Sequence, residues 1–472
     1  MNYLDAPEVS KDADRITGLR LLERAAEEIG FSSDLINHAY TLALYHAGET
    51  RRLADAAFQI GDSFVETDPA MAMDYFQRAF LGGLDAACVR HVGEIFERWA
   101  APKRPRRVSR SPRPVKKVAH VIGCLLKEHA PARYIGMLVN SLRQQGVESL
   151  VFTTEWAASW FFNPAGIVQS QLPDFAPDAV IASVEGSFSE RAQRIASAIK
   201  ASRVKAVFYH AGFNEQITAR VAALRPAPIQ VNVAHGADMD PALFDGYVHL
   251  TRQGLSSSRH TAEPAEWIPL ASDIEQRLQA CPPGMRQAMG LESAESVSAT
   301  IGDLRGASDP AYLRVLSGLL KVYPQHFHLF VGKGDVKTIR AHLHAEGVLP
   351  RVRFLGTSSD VVSVLAATDV VLCPFVNPDE SSLTEAMGAG KPPIVFAGPA
   401  DAPKRALVEM VGVPQLVAHT ESEYTQIAQR LLRDSGERAR HSELCLSRFR
   451  AEYDPSLLGP RYLEFLRGVF TS

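Results

Sequence analysis

Long apolar runs are missing from this 472-residue sequence. No stretch approaches the roughly 20 residues that a membrane-spanning helix needs. Cysteine is scarce as well. Cys88, Cys124, Cys281, Cys373 and Cys445 stand singly, with no pair at metal-site or redox spacing. That pattern excludes a cysteine-built metal centre and fits a reducing compartment. Cys124 and Cys373 lie in apolar runs and read as small buried hydrophobes. An excess of one charge is also lacking: 50 Lys and Arg oppose 53 Asp and Glu, for a formal net charge of -3. Nothing in that balance favours nucleic acid as a partner. The opening MNYLDAPEVSKDADR lacks the basic and apolar regions of a signal peptide, so the expected location is the cytoplasm.

Several chemical fingerprints are absent too. Neither HVIGCLLKEH nor SATIGDLRGASDP contains the GxGxxG of a dinucleotide site. There is no GxxxxGK[ST] phosphate loop and no GxSxG nucleophile elbow. No histidine pair has the HExxH spacing of a metal site, and no metal is expected.

What is present divides the chain by composition. Residues 1–102 carry apolar residues at helical spacing, with Asp68 and Pro69 suited to a helix start. They are expected to form an all-helical domain. Residues 103–117, KRPRRVSRSPRPVKK, hold eight basic residues, three prolines and no acid. This reads as a basic linker, either simply solvated or touching phosphates or an acidic partner. From Val118 onward, short apolar runs alternate with amphipathic segments, as in a parallel sheet covered on both faces. The expected plan is α/β: a first Rossmann-like domain over 118–285, a second over 286–450, and a C-terminal helix over 451–472. A cleft is expected between the two, where strand ends and helix starts converge.

Polar residues gather in the loops that follow the apolar runs. His129 in KEHAPARY precedes a helix start. His210 and Asn214 follow the strand VKAVFY, and His235 follows IQVNV. Each histidine is either an ordinary surface group or a group presenting a ring nitrogen to a ligand. Arg305 in LRGAS and Lys333 in VGKGD lie between glycines, where they can flank a diphosphate or merely sit in turns. In PFVNPDESSLTEAMGAGKPPIV, Ser381 or Ser382 can cap a helix whose first amides hold phosphate oxygens. Asp379 and Glu380 either face a sugar hydroxyl or cap that helix themselves. Glu385 lies one turn further on, and Gly388 and Gly390 permit a tight return into the next strand.

The order of these segments resembles a known family. APIQVNVAHGADMDPALFDGYVHL is similar to a segment shared by O-GlcNAc transferases and bacterial adhesin-glycosylating transferases. KEHAPARY resembles their His-Pro loop, and LRGASDPAYLRVLSGLLKVYPQHFHLFVG their donor-diphosphate segment. The likeness covers roughly residues 118–450. It implies a GT-B fold of two Rossmann-like domains, the first on the acceptor side, behind an all-helical N-terminal domain over 1–102 that helps to bind the acceptor. It implies transfer of a hexose or GlcNAc from a UDP-sugar to a protein side chain, plausibly of a bacterial surface or flagellar protein, with no cofactor beyond the nucleotide-sugar donor. In that scheme His129 and Arg305 are catalytic. Lys333, Asp379, Glu380, Ser381, Ser382 and Glu385 bind the donor, and His210, Asn214 and His235 line the acceptor or sugar side. DESSLTEAMGAGKP also resembles retaining GT-B transferases, which leaves the stereochemistry open. A lipid or glycan acceptor, or a non-catalytic interaction protein, are the competing readings, and oligomerisation is compatible with the sequence.

Overall fold

The structure, a computed structural model, describes residues 8–68, parts of 71–79, 115–122, 130–153, 180–182, 188–211, 216–235, 243–251 and 264–471, with short gaps such as 357–360 and 399–401 and a few single positions excepted. Three helices come first: α1 (Glu8–Glu28), α2 (Asp34–Ala47) and α3 (Thr50–Phe64). Leu44, Leu53, Ala57 and Ile60 form their core, joined by Tyr75. Glu23 ties all three, accepting from Tyr40 of α2 at 3.0 Å and from Arg52 of α3 at 2.6 Å. Burial and the bond to Glu23 push the Tyr40 phenol up to about 12.

The first α/β lobe runs β1 (Lys117–Ile122), α4 (Ala130–Gln144), β2 (Glu148–Thr153), β3 (Val180–Ala182), α5 (Phe188–Ser202), β4 (Ala206–Ala211), α6 (Gln216–Ala223), β5 (Ile229–Ala234), β6 (Gly246–His249) and β7 (Ala265–Trp267). All its strand pairs are parallel, in the order β3-β2-β1-β4-β5-β6-β7. Runs such as VAHVI and AVFYH are buried on both faces, which is why they read as continuous apolar stretches. Asp68, just after α3, forms an ion pair with the buried guanidinium of Arg220 in α6 at 2.8 Å, joining the helical region to this lobe.

The second lobe opens with α7 (Ile274–Gln279) and α8 (Met285–Ala288). It continues with β8 (Ser296–Asp303), α9 (Pro310–Val322), β9 (His326–Lys333), α10 (Val336–Ala345), β10 (Val352–Phe354), α11 (Val361–Ala367), β11 (Val370–Leu372), α12 (Glu380–Gly388), β12 (Pro393–Phe396), α13 (Ala402–Val411), β13 (Val417–Ala418), α14 (Glu421–Arg433) and α15 (Ser435–Glu452). Its sheet is also parallel, ordered β10-β9-β8-β11-β12-β13. Asp309 caps α9, accepting from Tyr312 N at 2.9 Å, with Pro310 at the first helical position. Two Rossmann-like lobes behind a helical region are what the GT-B expectation requires.

The last helix, α16 (Leu458–Thr471), does not stay with the second lobe. Leu458, Tyr462, Phe465, Leu466 and Val469 join the first lobe's core beside Val118, Phe208 and Val233. Ser141 of α4 fixes the turn, donating to Ser456 O at 2.8 Å and accepting from Gly459 N at 2.8 Å. A Cβ on Gly459 would stand 2.6 Å from Ser141 O, so the two helices meet backbone to backbone. The chain therefore crosses between lobes twice. The crossings lie side by side, with Ser272 N donating to Tyr453 O at 3.3 Å.

This arrangement predicts where a C-terminal substitution acts. Leu466 is fully buried, and Leu466→Ala should remove about 2–5 kcal/mol of stability in denaturant titrations. Hydrogen exchange should rise in β1, β4 and β5 of the first lobe; a rise confined to the second lobe would contradict this packing.

Candidate functional site

Strand order reverses between β1 and β4 in the first lobe and between β8 and β11 in the second. Ligands of such sheets sit outside the carboxyl ends of the strands at that reversal. In the second lobe three loops converge there with no room for side chains. Gly302 and Gly332 are paired across β8 and β9, both at positive φ (+112° and +142°). A Cβ on Gly332 would lie 1.7 Å from Gly302 O, and one on Gly302 would lie 2.7 Å from the Asp379 carboxylate. A Cβ on Gly306 would meet Val376 O at 1.8 Å. Residues 302–306, 332–334, 376 and 378–382 thus form one backbone cradle.

At the rim of the cradle, Asp379 caps α12. It accepts from Ser381 N at 3.0 Å, Ser381 Oγ at 2.9 Å and Ser382 Oγ at 2.8 Å. Of the expected caps, Asp379 therefore holds the position, and the reading of Ser381 or Ser382 as the cap is corrected. Helix α12 starts at Glu380, so both serines lie inside its first turn, and their hydroxyls donate to the carboxylate. The Ser381 amide, expected for phosphate oxygens, already serves Asp379. Gly388 is a packing glycine, since a Cβ there would be 2.4 Å from Ile274 Cγ2. Gly390, at φ +65°, makes the return, its amide donating to Met387 O at 3.0 Å.

Arg305 sits where expected, at the mouth of the cradle, with its side chain 77% exposed. Its Nε donates to Asp303 Oδ2 at 2.8 Å, and its Nη2 also bonds that carboxylate. These bonds hold the Asp303 carboxyl below its usual range, against the opposing effect of partial burial. An exposed pair of this kind contributes about 0–1 kcal/mol, so an incoming anion can replace Asp303 readily. Lys333 ends β9, in register with Asp303.

Glu385 is partly buried, with Arg277 Nη1 3.6 Å from its carboxylate and Asp273 3.6 Å from the same guanidinium. Burial raises its pKa. Arg277 and then Arg133 of α4 in the opposite lobe oppose that shift, while Asp379 adds to it. Glu385 therefore senses both lobes. The sequence reading missed Arg277, which carries no signal beyond its place on a short helix.

In the first lobe, His210 lies inside β4 rather than after it, and is 1% exposed. The strand continues one residue past the histidine because β5 pairs with it to Ala211. So His210 does not line a cleft; it bonds His120 and His235 instead. His120 was missed, although a histidine within the apolar run VAHVI was the visible signal. His235 directly follows β5 and is half-buried, with the Tyr134 ring edge-on at 5.4 Å. His129 and Asn214 lie outside the described residues.

Comparison with known proteins bears on this geometry. Residues 313–434, from α9 through α14, match the family model of glycosyl transferases group 1. No curated protein matches the chain. A mutant O-GlcNAc transferase of Thermobaculum terrenum is 17% identical with a TM-score of 0.62, covering 97% of this chain and 89% of its own. Anabaena HepE, solved with UDP and glucose, is 17% identical with a TM-score of 0.54, covering 75% and 100%. A lipopolysaccharide outer core galactosyltransferase, WaaB, is 12% identical with a TM-score of 0.50, covering 75% and 99%. The chain has the GT-B fold of these enzymes.

The raised pKa of Glu385 has a signed consequence. Its folded form holds a proton that the unfolded chain releases, so its contribution to stability falls as pH rises through the folded pKa. Wild-type stability relative to Glu385→Gln should therefore increase as pH is lowered from 8 toward about 4.5, read as the difference in thermal midpoints. A difference that stays flat, or shrinks on acidification, would contradict the assignment.

Proposed function

We propose that the protein is a glycosyltransferase that takes a sugar from a UDP-sugar bound at the second lobe. The observation that carries this reading is the side-chain-free cradle at the β8/β11 reversal, with Arg305 and Lys333 at its edge. Its supports are the group 1 match, which covers most of that lobe, and the GT-B relatives, one of them solved with UDP.

In this reading, Arg305 exchanges Asp303 for the donor diphosphate, and Lys333 adds a second cation. Positive charge placed on the leaving diphosphate lowers the barrier to breaking the glycosidic bond. Asp379, with Ser381 and Ser382, shapes the edge of the cradle and offers acceptors to sugar or ribose hydroxyls. Glu380 and Glu385 stand on the same helix, and Glu385 feels the charge of Arg133 in the first lobe. His129 orients the acceptor or takes its proton; Asn214 and His235 line the sugar or acceptor side, with His210 behind them.

For the acceptor, a glycan or lipid-linked glycan comes first. The likeness to an outer core galactosyltransferase takes in 99% of that chain but only 75% of this one. A polypeptide side chain is the second reading, favoured by the O-GlcNAc transferase likeness, which spans 97% of this chain and so reaches into its helical region. Incubation with labelled UDP-sugars and cell extract, followed by separation of protein, lipid and glycan label, decides between them.

Arg305→Ala should reduce donor turnover at least tenfold, a loss of about 1.4 kcal/mol of transition-state stabilisation, with little change in thermal midpoint. Unchanged kinetics at saturating donor would remove Arg305 from the mechanism. If titration calorimetry detects no uridine nucleotide binding at all, the non-catalytic reading replaces this one.

A further inference from the structure

Strand β11 leaves the second sheet sooner than its neighbour β8 does. Its pairing with β8 ends where Val371 lies opposite Ala299, and its pairing with β12 ends where Leu372 lies opposite Ile394. Meanwhile β8 runs on beside β9 as far as Asp303. The amides of Val371 and Cys373 donate to Pro392 O and Ile394 O, each at 3.1 Å, so both residues direct their backbone groups toward β12. Direction alternates along a strand, and the backbone groups of Leu372 turn toward β8. With both ladders ended, Leu372 O and Cys373 O receive no amide from the flanking strands.

Side-chain hydroxyls stand in for those amides, one set on each side. Thr300 Oγ1 donates to Leu372 O at 2.9 Å. Tyr312 of α9 donates to the same carbonyl at 3.2 Å and also contacts the Thr300 hydroxyl. On the β12 side, Tyr424 of α14 donates to Cys373 O at 2.9 Å. Phe375 follows at once. Its ring is edge-on to Tyr312 at 5.5 Å and to Tyr424 at 5.0 Å, and it stacks on Phe396 at 4.2 Å. The residues that come next are those of the rim, with Val376 O over Gly306 and Asp379 beside Gly302. Both tyrosines are fully buried. Burial pushes their phenols above the usual range, so they remain protonated donors near neutral pH. A bare carbonyl in the interior is costly. These hydroxyls remove that cost while letting the chain leave the sheet at this point.

We propose that Tyr312 and Tyr424 are positioning residues of the donor site: their hydroxyls replace strand amides at the exit of β11 and hold Val376 and Asp379 against the glycine cradle. This deepens, and rests on, the reading that the cradle takes the diphosphate of a UDP-sugar. The two tyrosines act through the loop that follows β11. They set where its backbone lies before any ligand arrives.

Tyr312→Phe and Tyr424→Phe each delete one hydroxyl and keep the ring. In the full-length protein each should weaken UDP binding about tenfold in titration calorimetry, at a temperature where thermal scans show the variant folded. Tyr453→Phe is the matched control, because Tyr453 also donates to a buried carbonyl of the second lobe, Met410 O at 2.8 Å, outside the cradle. It should lose stability and keep its UDP affinity. Unchanged UDP affinity in both tyrosine variants overturns the proposal, and so does an equal loss in Tyr453→Phe. Should neither variant fold, Phe375→Leu makes the same test, since it keeps both hydroxyls and removes the ring they enclose; unchanged affinity there also overturns it. Hydrogen exchange without ligand separates the clamp from the sugar reading. Amides of residues 379–382 should exchange about tenfold faster in Tyr424→Phe than in Tyr453→Phe, and equal rates overturn the clamp. Faster exchange in a protein that binds no UDP leaves the clamp standing and removes the sugar-transfer reading.

Discussion

The second lobe depends on a contact that no side chain can make. Gly302 and Gly332 bring the ends of β8 and β9 so close that a methyl group on Gly332 would overlap the Gly302 carbonyl. Because these ends stay narrow, the β11–α12 loop can lie against them, placing Asp379 beside Gly302 and Val376 over Gly306. The polar groups at the rim follow from that approach. Asp303 and Arg305 leave β8 at the mouth, Lys333 ends the neighbouring strand, and the cap of α12 faces both. Larger residues at 302 and 332 would push the loop outward and separate these groups by more than a hydrogen bond can span.

The two lobes share a second constraint. Helix α16 belongs by sequence to the end of the second lobe and by packing to the first. Its apolar face covers the same side of the first sheet as α4, and the crossing segments run side by side at Ser272 and Tyr453. Glu385 of the second lobe lies 3.6 Å from Arg277 of its own lobe and also feels the charge of Arg133 on α4 of the first, so one carboxylate stands between cations of both lobes.

Much of this architecture was legible in the sequence, and the failures have definite causes. Helices 310–322 and 361–367 and the parallel strands announced themselves through period and apolar runs. The cap of α12 did not, because Asp379, Ser381 and Ser382 are all good N-cap residues and only the start of the helix separates them. His210 was read one element too late because a polar residue at the end of an apolar run looks like a loop. Its partner across the sheet keeps it in the strand. The return of α16 to the first lobe had no local signal at all, since an amphipathic face states that it needs a partner without saying which. Arg305 and Lys333 drew notice because glycines bracket them, and those glycines are the ones the cradle requires.

The buried polar groups of the two sheets make a final contrast. In the second lobe His326 and His328 alternate with hydroxyls: Ser296 and Ser298 contact His326 at 3.0 and 2.9 Å, Ser298 contacts His328 at 2.7 Å, and Thr300 follows at 3.1 Å. Hydroxyls rotate to donate or accept, and Tyr312 and the Leu372 carbonyl complete the chain through Thr300. Such a network tolerates more than one tautomer and stabilises the sheet without directing a proton to either end. The first-lobe row instead joins three imidazoles directly, His120 to His210 at 3.0 Å and His210 to His235 at 3.1 Å, with no hydroxyl between them. Each of those contacts needs one ring to donate and the next to accept, so the tautomers of the three rings are tied to one another where those of His326 and His328 are not.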